Sequence, residues 1–115
     1  MPTSLKEKKV LVDGQEFSIL NVSFDNGCFI SIYEGDKKRI GEVSLALKLG
    51  ERVESSIVLA GRFGAVNSSL LAEAVASFRG GIVLLSLYTS FELSSDVMRT
   101  ILEELRTLLS SPASC

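Results

Sequence analysis

The chain has 115 residues, a hydrophobic share of 46% and a formal net charge of −2, which is typical of one globular domain over residues 1–115. Such a charge balance argues against nucleic-acid binding, because phosphates require a basic protein face. Histidine is absent, so a Ser-His or Cys-His nucleophile pair is excluded. The polar segment 1–9 does not resemble a signal peptide, and no apolar run approaches the roughly 18 residues of a membrane helix. We therefore expect a cytoplasmic protein that does not bind a membrane.

The first third of the chain predicts three strands. Residues 8–13 are rich in β-formers and end at Asp13-Gly14, a hairpin signal. Residues 16–24 form the second strand, and Asp25-Asn26-Gly27 predicts a tight turn with positive φ angles. The third strand runs from Cys28 to Tyr33.

The second strand has an unusual alternation. Phe17 and Ile19 share one parity, whereas Leu20, Val22 and Phe24 share the other. Because successive side chains of a strand point to opposite faces, this pattern predicts either a bulge near residues 19–20 or a strand covered on both faces.

A basic run and a regular alternation follow. Lys37-Lys38-Arg39 is expected to lie in a solvated hairpin loop, and residues 39–48 form the fourth strand. This strand alternates clearly, which predicts one buried face and one wet face, as in an antiparallel meander. The buried set would be Val43, Leu45 and Leu47, and the wet set Glu42, Ser44 and Lys48.

The second half predicts two strands and two helices. The continuous apolar run 57–60 is expected to be a central strand, and residues 82–87 form the sixth strand. A helix is predicted over 67–79, capped by Asn67 or Ser68 and ended by Gly80. Its apolar stripe comprises Leu70, Leu71, Ala74, Val75 and Phe78.

Ser94 or Ser95 is expected to cap the last helix, which has Asp96 in its first turn and is closed by Pro112. Its apolar stripe comprises Val97, Met98, Ile101, Leu102, Leu105, Leu108 and Leu109. The order β-β-β-β-β-α-β-α predicts an α+β fold, in which two amphipathic helices pack on one face of a six-stranded, mostly antiparallel sheet.

The turn from Gly61 to Asn67 is a candidate ligand site. It joins a strand to a helix and contains one Gly-x-x-Gly, and Arg62 could neutralise an anion. A phosphate loop also needs a Lys-Ser/Thr or a third glycine, which this turn lacks. A strand–helix connection that needs the conformational freedom of glycine explains the same residues. We keep a nucleotide-sensing or small-ligand module as the alternative function.

Other residues give no active site. Cys28 lies in an apolar strand, where a thiol stays protonated, and Cys115 is expected to be a free thiol of the tail. The adjacent Glu103 and Glu104 are expected on the wet side of a helix, and no cluster has metal-ligand spacing. We therefore expect a non-catalytic protein without a metal or other cofactor.

The sheet face opposite the helices is a candidate partner surface. Phe29 and Tyr33 have the parity opposite to Cys28, so they would lie on that face, where apolar area usually means a partner. Either a twisted sheet hides these residues, or the face binds a second subunit. The candidate partner-binding residues are Phe29, Tyr33, Arg62 and Phe63.

Several segments together resemble the proteasome assembly chaperone 3 family, or an archaeal-type relative of it. The segment Arg39–Leu45 is similar to the basic-hydrophobic-Gly strand of that family, and Ile57–Gly61 to its strand ending in glycine. The helix Ser69–Phe78, the strand Gly81–Leu87 and the terminal helix Ser95–Leu109 follow in the same order. The resemblance covers the chain from about Phe17 onward.

This resemblance implies a non-enzymatic chaperone. Members of the family bind α-type proteasome subunits transiently and guide assembly of the α-ring without ATP. They act as dimers, so the resemblance implies a homodimer or a heterodimer with a paralogous chaperone. Some related assembly factors end in a hydrophobic-Tyr-x motif that docks into α-ring pockets, and the tail 110–115 lacks it.

Overall fold

The computed structural model describes residues 4–109. Within that range the chain forms six strands and two helices in the predicted order. The elements are β1 (Ser4–Val12), β2 (Gln15–Phe24), β3 (Gly27–Glu34), β4 (Glu42–Leu49), β5 (Arg52–Leu59), α1 (Val66–Arg79), β6 (Ile82–Tyr88) and α2 (Ser95–Leu109). The expected effects of Pro112 and Cys115 lie outside the described residues.

The strands form one mixed sheet in the order β1-β2-β3-β6-β4-β5. The described strand pairs are antiparallel, except that β3 and β6 run parallel. The predicted α+β class and mostly antiparallel sheet are therefore confirmed. Lys37-Lys38-Arg39 lie in an exposed loop, as predicted, but this loop does not close a hairpin. Because β6 lies between β3 and β4, the segment 35–41 crosses the end of the sheet.

Both helices pack on the same face of the sheet, and the core lies between the two layers. Leu71 and Val75 of α1, together with Ile101 and Leu105 of α2, are almost fully buried there. The strands contribute Phe17, Ile19, Ile30, Ile32, Ala46, Val83 and Leu85, which are fully buried. We call this side of the sheet the helix face and the opposite side the open face.

The two predicted tight turns differ in conformation. Asp13 and Gly14 have φ angles of 51° and 78°, so this hairpin has the expected left-handed turn. Gly27, in contrast, does not have positive φ and is the first residue of β3. A Cβ atom there would lie 2.1 Å from the carbonyl oxygen of Ile82. Glycine is therefore required at position 27 because β6 approaches closely there. The positive φ angle predicted for this turn was wrong.

Strand β2 is apolar on both faces, but it is fully covered only on the helix face, so neither predicted explanation of its pattern holds as stated. Its registers with β1 and β3 are continuous, so β2 has no bulge. Phe17 and Ile19 are buried under the helices, while Val22 and Phe24 lie on the open face. The register irregularity lies instead between Val43 and Ser44 of β4, opposite β5.

Strand β4 has the reverse of its predicted orientation. Ser44 and Ala46 are fully buried against the helices and Glu42 is almost so, whereas Leu45 of the supposed buried set is 36% exposed on the open face. The prediction failed because it assigned polar side chains to water. Here the polar groups of Glu42 and Ser44 find hydrogen-bond partners on α1, and the small Ala46 lets α1 approach the sheet.

Strand β5 is an edge strand and not the predicted central one. It pairs with β4, and no second strand flanks it within residues 4–109. Its apolar residues Ile57, Val58 and Leu59 are half-exposed or more. A continuous apolar run is typical of a central strand, and here the central positions are taken by β3 and β6.

The helix ends follow partly from local sequence. Helix α2 begins at Ser95, and the hydroxyl of Ser94 accepts the N–H of Val97, which confirms the first of its two predicted caps. Helix α1 begins at Val66 after Ala65, which provides no side-chain cap, so the predicted caps at Asn67 and Ser68 were wrong. The predicted stop at Gly80 is confirmed, with φ of 82°. No helix in the described range is long and apolar enough to cross a membrane.

Candidate functional site: the open face of the sheet

The open face carries apolar side chains from neighbouring strands at one end of the sheet. Phe24 of β2 and Phe29 of β3 lie at this end, next to the N-terminal end of β6. Leu45 and Leu49 of β4 continue the surface on the other side of β6. We call this surface the open-face patch, and its exposed members are Phe24, Phe29, Leu45, Leu49 and Ile82.

The patch is contiguous across four strands. The register places Phe29 beside Leu84, and Leu84 beside Leu45. Val22 lies next to Phe29 on the other side. Between Phe24, Phe29 and Ile82 the surface forms a hollow of about 180 Å³. Contiguous exposed apolar surface is uncommon on soluble monomers, so this patch is a candidate docking site for another protein.

The opposite end of the open face is covered by the chain itself. The segment 37–41 passes over it, and the N–H of Gly41 donates to the hydroxyl of Ser86 at 3.2 Å. The guanidinium of Arg39 lies 5.7 Å from the ring centre of Tyr88. Tyr33 is only 4% exposed beneath this cover. A pocket of about 360 Å³ remains there, lined by Tyr33, Leu20, Ile40 and the charged Glu7 and Arg39.

The predicted ligand turn has its helix terminus already occupied. Gly61 and Gly64 bond to each other through their backbones, at 2.8 and 3.2 Å. The N–H of Ser68, in the first turn of α1, donates to the carboxylate of Glu42 at 2.7 Å. A helix N-terminus attracts anions because its N–H groups are free and its dipole is positive there. Glu42 supplies that anion from within the fold.

Serine hydroxyls complete the attachment of α1 to β4. The hydroxyl of Ser44 lies 2.8 Å from that of Ser68 and 2.9 Å from that of Ser69. Ser68 also donates to the carbonyl of Ala65 at 3.2 Å. These buried polar groups therefore have partners, and the turn is a structural joint between strand and helix.

The remaining chemistry of the chain is weak. Burial raises the pKa of the Cys28 thiol, although the nearby Arg79 opposes the shift, so this thiol favours its unreactive protonated form. Among residues 4–109, no group of three or more acidic or cysteine side chains is arranged to hold a metal ion.

The four candidate partner-binding residues lie in different places. Phe29 is in the open-face patch and is 41% exposed. Tyr33 is on the same face but about 13 Å further along β3, at the covered end. Arg62 is exposed and Phe63 half-buried, and both line a small cavity of about 60 Å³ beside Tyr88. The structure therefore does not bring the four together.

Most of the patch was missed from the sequence. Leu45 was assigned to the core, and Phe24 and Ile82 were given no surface role. The available signal was that β2 and β3 both carry large apolar residues on both parities. Two apolar parities in neighbouring strands indicate a sheet that is covered on both sides.

Comparison with known proteins gives a likeness of fold. No protein-family profile matches the chain, and no curated protein sequence matches it significantly. A chain from the crystal structure of a novel chaperone complex for yeast 20S proteasome assembly superposes with a TM-score of 0.71. The likeness covers 95% of this chain and 96% of the yeast chain, at 9% sequence identity. The protein is thus an α+β protein that shares its whole fold with a component of that complex.

Proposed function

We propose that the protein is a non-catalytic chaperone of proteasome assembly that binds α-type subunits and assists formation of the α-ring. The observation that carries the proposal is the open-face patch. An exposed apolar surface on a domain whose core is already closed by its own helices is typical of a protein-binding site. The fold shared with a chain of a yeast proteasome-assembly complex supports the choice of partner. Such a role requires no active site or cofactor, and it would place the protein in the cytoplasm.

The chaperone is proposed to act as a dimer, with a second copy or a paralogous chaperone on the open face. A stable interface buries roughly 800 Å² per partner. The molecule measures 34 × 28 × 22 Å, so its broad side is large enough for such an interface. Covering this side would make the sheet an inner layer with helices outside, which accounts for apolar residues on both faces of β2.

A capture experiment tests the partner. The tagged protein, expressed in its native host, should co-purify with proteasome α-type subunits. A Phe29→Asp variant should lose them, because the proposed dimer forms through the patch and the chaperone is proposed to act as that dimer. Absence of every α-type subunit at micromolar concentration would contradict the proposal. A Leu11→Asp variant is the matched control, because Leu11 is also exposed but lies at the opposite end of the face, on β1.

The alternative ligand-sensing function has less support. Its turn has one glycine pair and no lysine, and Glu42 already accepts an N–H at the helix terminus. A thermal-shift measurement with nucleotides and inorganic phosphate tests this alternative, because a ligand of the native state raises stability by mass action. We expect no shift, and a rise above about 2 °C that Arg62→Ala removes would favour the ligand function instead.

A further inference from the structure

Strand β5 leaves one edge of the sheet without the protection that the other edge has. Edge strands present free N–H and C=O groups, and lysine or a covering element discourages pairing there. The β1 edge contains Lys6 and Lys8, which reach α2: the Lys6 ammonium donates to the carbonyl of Leu108, and Lys8 pairs with Glu104. Strand β1 is thus charged and tied to a helix.

The β5 edge is apolar where β1 is charged. Residues 52–59 include neither lysine nor proline. Ile57, Val58 and Leu59 are 60%, 59% and 50% exposed. Three β-forming side chains in a row at an open edge favour the addition of another strand.

Helix α1 extends this apolar edge on one side. Ser69 contacts Ser44, which is the register partner of Ile57, and Glu73 accepts a hydrogen bond from Ser55. The first turns of α1 therefore run beside the apolar half of β5. Two of their side chains are exposed, Val66 by 66% and Leu70 by 54%.

The other half of the edge is acidic. Glu51 and Glu54 lie there, and Glu73 of α1 bonds Ser55 in the middle of the strand. The basic side chains nearby are Arg52, which pairs with Glu54, and Lys48, the register partner of Val53. The local charge is therefore negative. A complementary segment would bring a lysine or arginine to this half and aliphatic side chains to the other.

We propose that the outer edge of β5 binds an extended peptide segment of another protein, which joins the sheet as a seventh strand. The segment has aliphatic residues at alternate positions beside Ile57–Leu59, and a lysine or arginine near Glu54. Main-chain hydrogen bonds supply affinity and alternate side chains supply specificity in this mode of recognition. The site is separate from the open-face patch and does not depend on the chaperone function.

The size and pattern of the edge favour a peptide over a second copy of the chain. An edge is one strand thick, so it offers much less than the roughly 800 Å² per partner of a stable protein–protein interface. Two copies paired antiparallel along the whole of β5 would also place the acidic half around Glu54 against the apolar half around Val58. A short extended segment has neither difficulty.

Selection from a random nine-residue peptide library displayed on phage tests the site. The expected winners alternate aliphatic residues and carry a basic residue at one end. Binding of a selected peptide, measured by fluorescence anisotropy, should weaken at least tenfold in Val58→Lys. Leu11→Lys is the matched control, since it places the same charge at the opposite edge, and it should bind as the wild type does. Hydrogen exchange of β5 amides should slow when the peptide is bound.

A charge reversal provides a second variant, in case Val58→Lys does not fold. Glu54→Lys should weaken binding of the same peptide severalfold. This variant should also bind a peptide in which an acidic residue replaces the basic one. The proposal is overturned if the library yields no binder, if winners lack alternation, or if Val58→Lys and Leu11→Lys bind equally. Protection of open-face amides in place of β5 amides would likewise overturn it.

Discussion

Glu42 shows how one buried carboxylate determines where a helix begins. Its carboxylate accepts the N–H of Ser68, which is the third residue of α1. The usual acceptor at this position is a Ser, Thr, Asp or Asn that precedes the helix, and here that residue is Ala65. A strand residue 26 positions earlier performs the capping function, which no local pattern could reveal.

Replacing Glu42 with alanine should therefore destabilise the fold. The change removes a cap and leaves a buried N–H without its acceptor, so we expect a loss of about 1–3 kcal/mol in the free energy of unfolding. Urea denaturation measures the loss. Glu54→Ala, at an exposed position of β5, should change the stability by less than about 0.5 kcal/mol. Equal effects of the two variants would contradict the capping role.

Gly41 is required for a close approach between two chain segments. A Cβ atom at this position would lie 2.1 Å from the carbonyl oxygen of Leu87. Gly41→Ala must therefore push the 37–41 segment away from β6, at a cost of about 1–3 kcal/mol, as in overpacked sites. Thermal unfolding should show a lower Tm, whereas Ile40→Ala, at the exposed neighbouring residue, should leave it nearly unchanged. A wild-type Tm in Gly41→Ala would contradict the close approach.

Glu34 joins the end of β3 to the loop between β6 and α2. Its pKa is lowered from the ordinary value of 4.5, first because it accepts the backbone N–H of Ser90 and next because it accepts that residue's hydroxyl. A carboxyl with a lowered folded-state pKa contributes stability above its unfolded pKa and loses it as the pH falls through the folded value. The contribution is therefore fully present at neutral pH, begins to fall near the ordinary pKa of 4.5 and is lost as the pH passes through the lowered folded-state pKa.

This link predicts a pH-dependent difference between variants. Glu34→Gln should be less stable than the wild type at pH 7, and the gap should close as the pH falls towards 3. Urea denaturation across that range measures it. Glu51→Gln, in the exposed β4–β5 turn, is the matched control and should follow the wild type at every pH. A gap for Glu34→Gln that stays constant from pH 7 to 3 would argue against the proposed bond to Ser90.

The order and type of the elements could be predicted because each carries a local signal. Helix α2 has a wide apolar stripe, and it begins at Ser95, next to the predicted cap at Ser94. The hairpin at Asp13-Gly14 was likewise encoded by two residues that accept positive φ. These features depend on neighbours in sequence, which is the information that periodicity and turn chemistry contain.

The neighbours of each strand could not be predicted in the same way. Insertion of β6 between β3 and β4 depends on contacts between distant segments, and it moves β5 from the centre to the edge. The orientation of β4 was missed for a related reason: Ser44 and Glu42 are polar, yet α1 supplies their partners. As a result, most of the open-face patch was not found from the sequence, although Phe29 was.

At the scale of the whole molecule, the chain makes two apolar surfaces with different requirements. The helix face is closed by α1 and α2 and forms the core. The open face carries the exposed open-face patch at one end of the sheet and is covered by the segment 37–41 at the other. Both faces of the sheet carry large apolar side chains, so a second layer on the open face would complete a three-layer arrangement.

This arrangement predicts a dimer that one charge can dissociate. Light scattering of the purified protein at micromolar concentration should give about twice the 12.4 kDa mass of the chain, and Phe29→Asp should give the monomer mass, because a carboxylate buried in an apolar interface costs several kcal/mol. Leu70→Asp is the matched control: Leu70 is 54% exposed but lies on α1, on the helix side of the sheet, so this variant should remain dimeric. A monomeric wild type would exclude self-association and leave a paralogous subunit as the proposed occupant of the patch. If Leu70→Asp dissociates the dimer and Phe29→Asp does not, the interface lies on the helix side and the assignment of the open face is wrong.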